Sequence, residues 1–231
     1  VYCAESVVLV PGGGTYGMEA VARQFATDKN CLVLRNGWFS YRWSQILEMG
    51  NIPSKLTVLK ASREIDGPQE PFSPKDVDLV IEKIKTEKPA MVFAPHVETS
   101  AGIILPDDYI KSVSEAVHSV GGMFVLDCIA SGAIWIDMEK CGVDVLVSAP
   151  QKGWSASPAF GMVMLSKNVS EKIQSTQSTS FSCDLLKWLQ IMQTYENGGH
   201  AYHATMPTDA IKHFRDTINE TAEFGFDRAR D

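Results

Sequence analysis

Seven short apolar runs rich in β-branched residues alternate with helical patterns, and this alternation limits the possible folds more than any other feature of the chain. The runs are SVVLV at 6–10, CLVLR at 31–35, LTVLKA at 56–61, AMVFAP at 90–95, MFVLDC at 123–128, VDVLVSA at 143–149 and FGMVMLS at 160–166. A strand with one wet face alternates apolar and polar residues, whereas a near-continuous apolar strand is buried on both faces. Such strands, separated by helices, build a parallel sheet covered on both sides. The expected fold is therefore α/β, with three layers: a mainly parallel sheet and helices on both faces. Between the first two runs, Met18, Val21, Ala22 and Phe25 recur at helical spacing. A second helix is expected through Trp43, Ile46 and Leu47. Residues 62–73 mix Pro and Gly with charges and read as an exposed loop. Ser73-Pro74 predicts a helix with Pro at its first position, running to about Lys88. Helices dominate from Asp184 onward.

Composition removes several classes of function. The 231 residues make one large domain or two small ones, long enough to bury a sizeable core. No apolar run approaches the roughly 20 residues of a membrane helix. The net charge is −7 and no Lys/Arg cluster stands out, which argues against nucleic acid or an anionic membrane as partner. Cys3, Cys31, Cys128, Cys141 and Cys183 are widely spaced and form no CxxC pair. They read as reduced thiols in a reducing compartment, so a cytoplasmic protein is expected. His96, His200 and His203 give no tetrahedral ligand set, and no metal is expected. The chain starts at Val1 and ends in a charged helical pattern without a stop signal, as expected of a processed protein or a piece of a longer one.

In a parallel α/β sheet, ligands sit at the carboxyl ends of the strands. The first strand ends in PGGGTYGMEA. Gly12, Gly13 and Gly14 ahead of a helix either leave N–H groups facing an anion or make a tight strand-to-helix turn. The pattern is neither GxGxxG nor a Walker motif, which favours a monophosphate over a dinucleotide or triphosphate. The second strand ends in RNGWFSYRW, where adjacent Trp38 and Phe39 suit either a flat ring or ordinary packing. Asp127 closes a buried apolar strand, where a carboxylate is costly unless paired; it is either a structural acceptor or a partner for a cationic ring nitrogen. Lys152 follows another apolar strand in SAPQKGW, 25 residues after Asp127, which is one strand-helix-strand unit. A phosphate cradle, a buried Asp, a lysine and a stacking aromatic on one sheet edge form a constellation suited to pyridoxal phosphate.

With those residues in place, the sequence resembles the class V aminotransferases of the fold-type I pyridoxal-phosphate enzymes, nearest the alanine–glyoxylate and serine–pyruvate aminotransferases. The resemblance covers nearly the whole chain and implies a role for each motif. PGGGTYGMEA stands at the phosphate loop, with Gly13 and Thr15 where the family usually has Ser or His, and Gly14 between them. NGWFSYR carries the ring-stacking aromatic, which falls on Phe39, with Trp38 as the alternative one place earlier. HVETSAG brings Thr99 toward the phenolic oxygen. LDCIASG supplies Asp127 for the pyridine nitrogen and Ile129 for the opposite ring face. SAPQK supplies Gln151 for the phosphate and Lys152 for the Schiff base, with burial and nearby cationic groups expected to lower the lysine's pKa. YHATMP supplies Tyr202 and Thr205, which in the family reach the neighbouring subunit's phosphate across a homodimer. The implied reaction moves an amino group from a small amino acid to a 2-oxo acid such as glyoxylate or pyruvate.

The alternatives are a 2-aminoethylphosphonate transaminase, another class V enzyme such as a lyase or desulfurase, or an inactive dimerisation domain. A desulfurase typically has His before the lysine, and here Gln151 stands there. The resemblance also implies that residues 1–231 are the large cofactor-binding domain, without the family's N-terminal arm and small domain. Arg215, Arg228 and Arg230 match no substrate-carboxylate motif.

Overall fold

The computed structural model describes residues 1–231. The first half contains β1 (Ser6–Pro11), α1 (Gly14–Phe25), β2 (Asn30–Arg35), α2 (Trp38–Met49), β3 (Lys55–Lys60), α3 (Val77–Glu87), β4 (Met91–Pro95), β5 (Val97–Glu98), β6 (Ile103–Ile104) and α4 (Asp107–Ser119). The second contains β7 (Met123–Asp127), α5 (Met138–Cys141), β8 (Val145–Ser148), β9 (Phe160–Leu165), α6 (Lys167–Lys172), α7 (Leu185–Glu196), α8 (Thr208–Phe224) and α9 (Phe226–Arg230). Seven strands form one sheet in the order β1-β9-β8-β7-β4-β2-β3, and β5 pairs with β6 in a small hairpin. From β8 to β3 every pairing is parallel, while β9 runs antiparallel to both β8 and β1. The carboxyl ends of β1, β2, β4, β7 and β8 therefore share one edge.

The apolar runs lack polar alternation because successive residues enter two cores. Cys31 and Val33 join Met18, Trp43 and Trp188 on one face, and Leu32 and Leu34 join Ile84, Val113 and Phe214 on the other. Burying a side chain of this kind stabilises by about 1.5–3 kcal/mol, so both helical layers are needed to cover the sheet.

The helix expected from Pro74 instead begins at Val77. The Asp76 carboxylate accepts from Asp78 N at 3.0 Å and Leu79 N at 3.3 Å, which makes Asp76 the cap. Ser73 is drawn away into an antiparallel bridge with Ser62. The charged tail is also not one helix: Gly225, at φ 102, separates α8 with Arg215 from α9 with Arg228 and Arg230. No helix is long and apolar enough to cross a membrane.

Candidate active site

A cleft of about 180 Å³ opens at the shared carboxyl edge, and Asp127 and Lys152 both line it. Asp127 is the last residue of β7 and is buried. Trp43 Nε1 donates to its Oδ2 at 3.1 Å, and the Ile129 N–H donates to its Oδ1 at 3.1 Å. Burial pushes its carboxyl up to about 6, against the opposing pull of those two donors and of Arg42. The carboxyl thus sits in a low-dielectric floor with donors but no cation in contact, a place that favours a cationic partner.

Lys152 lies in the loop after β8 and is exposed in this chain, contrary to the burial expected of a Schiff-base lysine. The Gly153 backbone lies against Gly132, so close that an added Cβ would fall 2.0 Å from the Gly132 carbonyl oxygen. That contact seats the loop against the one following Asp127. Beside Lys152, Gln151 has a buried Oε1 with no hydrogen-bond partner. A half-turn of the amide presents Nε2 at the same place.

The glycine-rich loop closes the cleft from the β1 side. Gly12 holds φ +124, a conformation that side chains resist, and turns the chain into α1. Gly13 is the N-cap and offers no side-chain cap to the first N–H groups of α1, which have no intrahelical partner. Gly14 packs so tightly on Ile129 that a Cβ would meet Ile129 Cδ1 at 2.6 Å. From across the cleft, Arg42 donates through a terminal guanidinium nitrogen to Thr15 Oγ1 at 3.0 Å. The site thus offers a helix N-terminus and a guanidinium to an anion.

Of the residues expected from sequence, Gly14, Thr15, Phe39, Thr99, Asp127, Ile129, Gln151 and Lys152 line the cleft, and Gly13 caps the adjoining helix. Phe39 faces the cleft, while Trp38 lines a neighbouring groove with Arg35, Tyr41 and Phe72. Tyr202 and Thr205 are exposed and do not line the cleft of their own chain. Sequence reasoning missed Arg42. Its signal was helical spacing, since Phe39, Arg42 and Trp43 at i, i+3 and i+4 share one face.

The class V aminotransferase family model matches residues 4–231. The chain belongs to the class V aminotransferase family. It is 29% identical over 223 residues to a 2-aminoethylphosphonate–pyruvate transaminase of Syntrophobacter fumaroxidans, covering 94% of this chain and 55% of that protein. It is 26% identical over 235 residues to alanine–glyoxylate aminotransferase 1 of Saccharomyces cerevisiae, covering 96% and 58%. The crystal structure of an alanine–glyoxylate aminotransferase from Nostoc superposes with a TM-score of 0.79 at 23% identity, over 98% of this chain and 56% of that one, which shows the shared fold. This class V aminotransferase chain thus spans little more than half the length of the curated relatives it matches.

Family membership implies pyridoxal phosphate as cofactor, and the residues present fit it. A buried carboxyl without a cation suits a pyridinium nitrogen. The uncapped helix start, the Arg42 guanidinium and the orphaned Gln151 amide suit a phosphate. Phe39 and Ile129 supply apolar surface for a flat ring.

Proposed function

We propose that the chain is the cofactor-binding large domain of a pyridoxal-phosphate-dependent aminotransferase. It moves an amino group from a small amino acid of the alanine or serine type to a 2-oxo acid such as glyoxylate or pyruvate. The observation that carries this reading is the convergence of Asp127 and Lys152 on one cleft.

The bound cofactor supplies an aldehyde for amino exchange and an electron-withdrawing ring. The Asp127 carboxylate would hold a proton on the ring nitrogen, and its raised pKa would fall with a cation facing it. Phe39 and Ile129 would supply the apolar surface that holds the ring. The N–H groups at Gly13, Gly14 and Thr15 would hold the phosphate with Arg42 and Gln151, and the Thr99 hydroxyl would serve the phenolic oxygen. Lys152 Nζ would hold the cofactor aldehyde and would serve as the base that moves a proton at the substrate α-carbon.

A second reading has specific support. Relatives from Syntrophobacter and Vibrio named 2-aminoethylphosphonate–pyruvate transaminase share 29% and 30% identity with this chain. An aminoalkylphosphonate donor fits the same Lys152 and Asp127 chemistry. We place the enzyme in a homodimer in which Tyr202 and Thr205 reach the partner's phosphate; their exposure leaves both hydroxyls available. Five unpaired cysteines suit a cytoplasmic location.

The test mixes the purified full-length protein, loaded with pyridoxal phosphate, with alanine, serine or 2-aminoethylphosphonate. Loss of the visible band on adding one donor, and its return on adding glyoxylate or pyruvate, is the expected result. A band that no donor alters contradicts the reading.

A further inference from the structure

Glu98 exposes no surface to solvent, and none of the chain's ion pairs includes it. Its partners are instead the N-terminus of α2. Oε1 accepts from Phe39 N at 3.1 Å and from Ser100 Oγ at 2.7 Å. Oε2 accepts from Ser40 N at 2.8 Å and from Ser40 Oγ at 2.6 Å. The Trp38 N–H donates to Ser100 Oγ at 2.8 Å, so that serine extends the same cap. The N-cap residue, Gly37, has no side chain to accept from the first N–H groups of the helix. Gly37 in turn has no room for a side chain: a Cβ there would meet Ser100 Oγ at 2.4 Å and Glu98 Cγ at 2.7 Å. The glycine is therefore what lets the carboxylate in.

Burial raises the Glu98 carboxyl. The hydroxyls of Ser40 and Ser100 and the N–H groups of Ser40 and Phe39 more than offset that, and it titrates below the ordinary range. A charged cap at a helix N-terminus also gains from the helix dipole.

We propose that Glu98 is a positioning residue: by capping α2 from another element it fixes Phe39 and Thr99 as facing walls of the cofactor cleft. Phe39, at the start of α2, donates its own N–H to this carboxylate, and Thr99 lies between Glu98 and Ser100 in sequence. Both residues line the cleft. The inference rests on the cofactor reading above and adds to it a residue that touches neither cofactor nor substrate.

The experiment compares wild type, Glu98→Gln, Ser100→Ala and Glu87→Gln in the full-length, cofactor-loaded protein. Glu87 pairs with Lys83 and Lys55 away from the cleft and controls for the loss of a structural carboxylate. The readouts are the cofactor dissociation constant, the visible circular dichroism of the bound cofactor, and hydrogen exchange at the Phe39 and Ser40 amides. In Glu98→Gln the amide group turns a donor toward donors. The expected result is about tenfold or weaker cofactor binding, a diminished visible dichroism and faster exchange at both amides. Ser100→Ala should move in the same direction by less, and Glu87→Gln should leave all three readouts unchanged. If Glu98→Gln does not fold, Ser100→Ala decides on the same readouts. Wild-type affinity, dichroism and exchange in the variant that folds would overturn the inference. A wild-type protein that takes up no cofactor overturns the reading beneath it, and the inference with it.

Discussion

Burial lifts the Asp127 carboxyl to about 6, while Trp43 and the Ile129 N–H donate to its two oxygens. The side chain is thus a buried carboxyl whose charged form a facing cation would favour further. Asp127→Asn tests this. An amide buries no charge, which helps stability, but it turns a donor toward Trp43 or Ile129, which costs about as much. The Tm should stay within about 3 °C of wild type. Transamination should fall about 10²-fold or more, because a neutral amide cannot keep the ring nitrogen protonated. Wild-type turnover in that variant contradicts the pyridinium role. Asp127 and Lys152 were legible in the sequence because each follows an apolar strand, and the sheet brings strand ends together. Glu98 was not legible. A Glu in a polar loop is ordinarily solvated, and only the uncapped start of α2, far away in sequence, explains its burial.

At the scale of elements, two loops at the carboxyl edge hold the site through backbone packing. The Gly153 backbone lies against Gly132, and α1 starts against Ile129 at Gly14. Gly153→Ala should push the Lys152 loop away from the Asp127 loop. Overpacking of this kind costs about 1–3 kcal/mol, so the Tm should fall by about 3–10 °C, with weaker cofactor retention. Thermal denaturation alongside cofactor titration checks both effects, and an unchanged variant would show that the loops do not depend on this contact. The apolar runs made the strands legible, and every expected strand is present. The start of α3 was misread because Pro74 competes with Asp76, and a carboxylate that accepts from two N–H groups outweighs a preset φ. The antiparallel placement of β9 was beyond local pattern, since Phe160–Leu165 is buried on both faces whichever way it runs.

For the whole molecule, two buried groups give stability opposite pH slopes. Burial lowers His96 to about 4, where its Nδ1 contacts Ser131 Oγ at 2.7 Å. Between about pH 6.5 and 4 the unfolded chain binds a proton at His96 that the folded chain refuses, so stability falls as pH falls. Asp127 works the other way in the chain alone: the folded state holds its proton up to about pH 6, and that contribution is lost as pH rises through this value. His96→Asn should remove only the first slope. The Tm of wild type should therefore drop relative to His96→Asn as the pH goes from 6.5 to 4, whereas parallel profiles would show that His96 takes up its proton without opposing the fold.

The central claim is that one edge of this sheet holds a pyridoxal-phosphate site built on Lys152 and Asp127. Its most direct test is to load the full-length protein with pyridoxal phosphate, reduce it with borohydride and map the modified peptide. The account predicts the pyridoxyl group on Lys152, in the peptide containing SAPQK, and none on that peptide in Lys152→Ala. Labelling at Lys140 or Lys167 instead, or equal labelling of the Lys152→Ala variant, would contradict it.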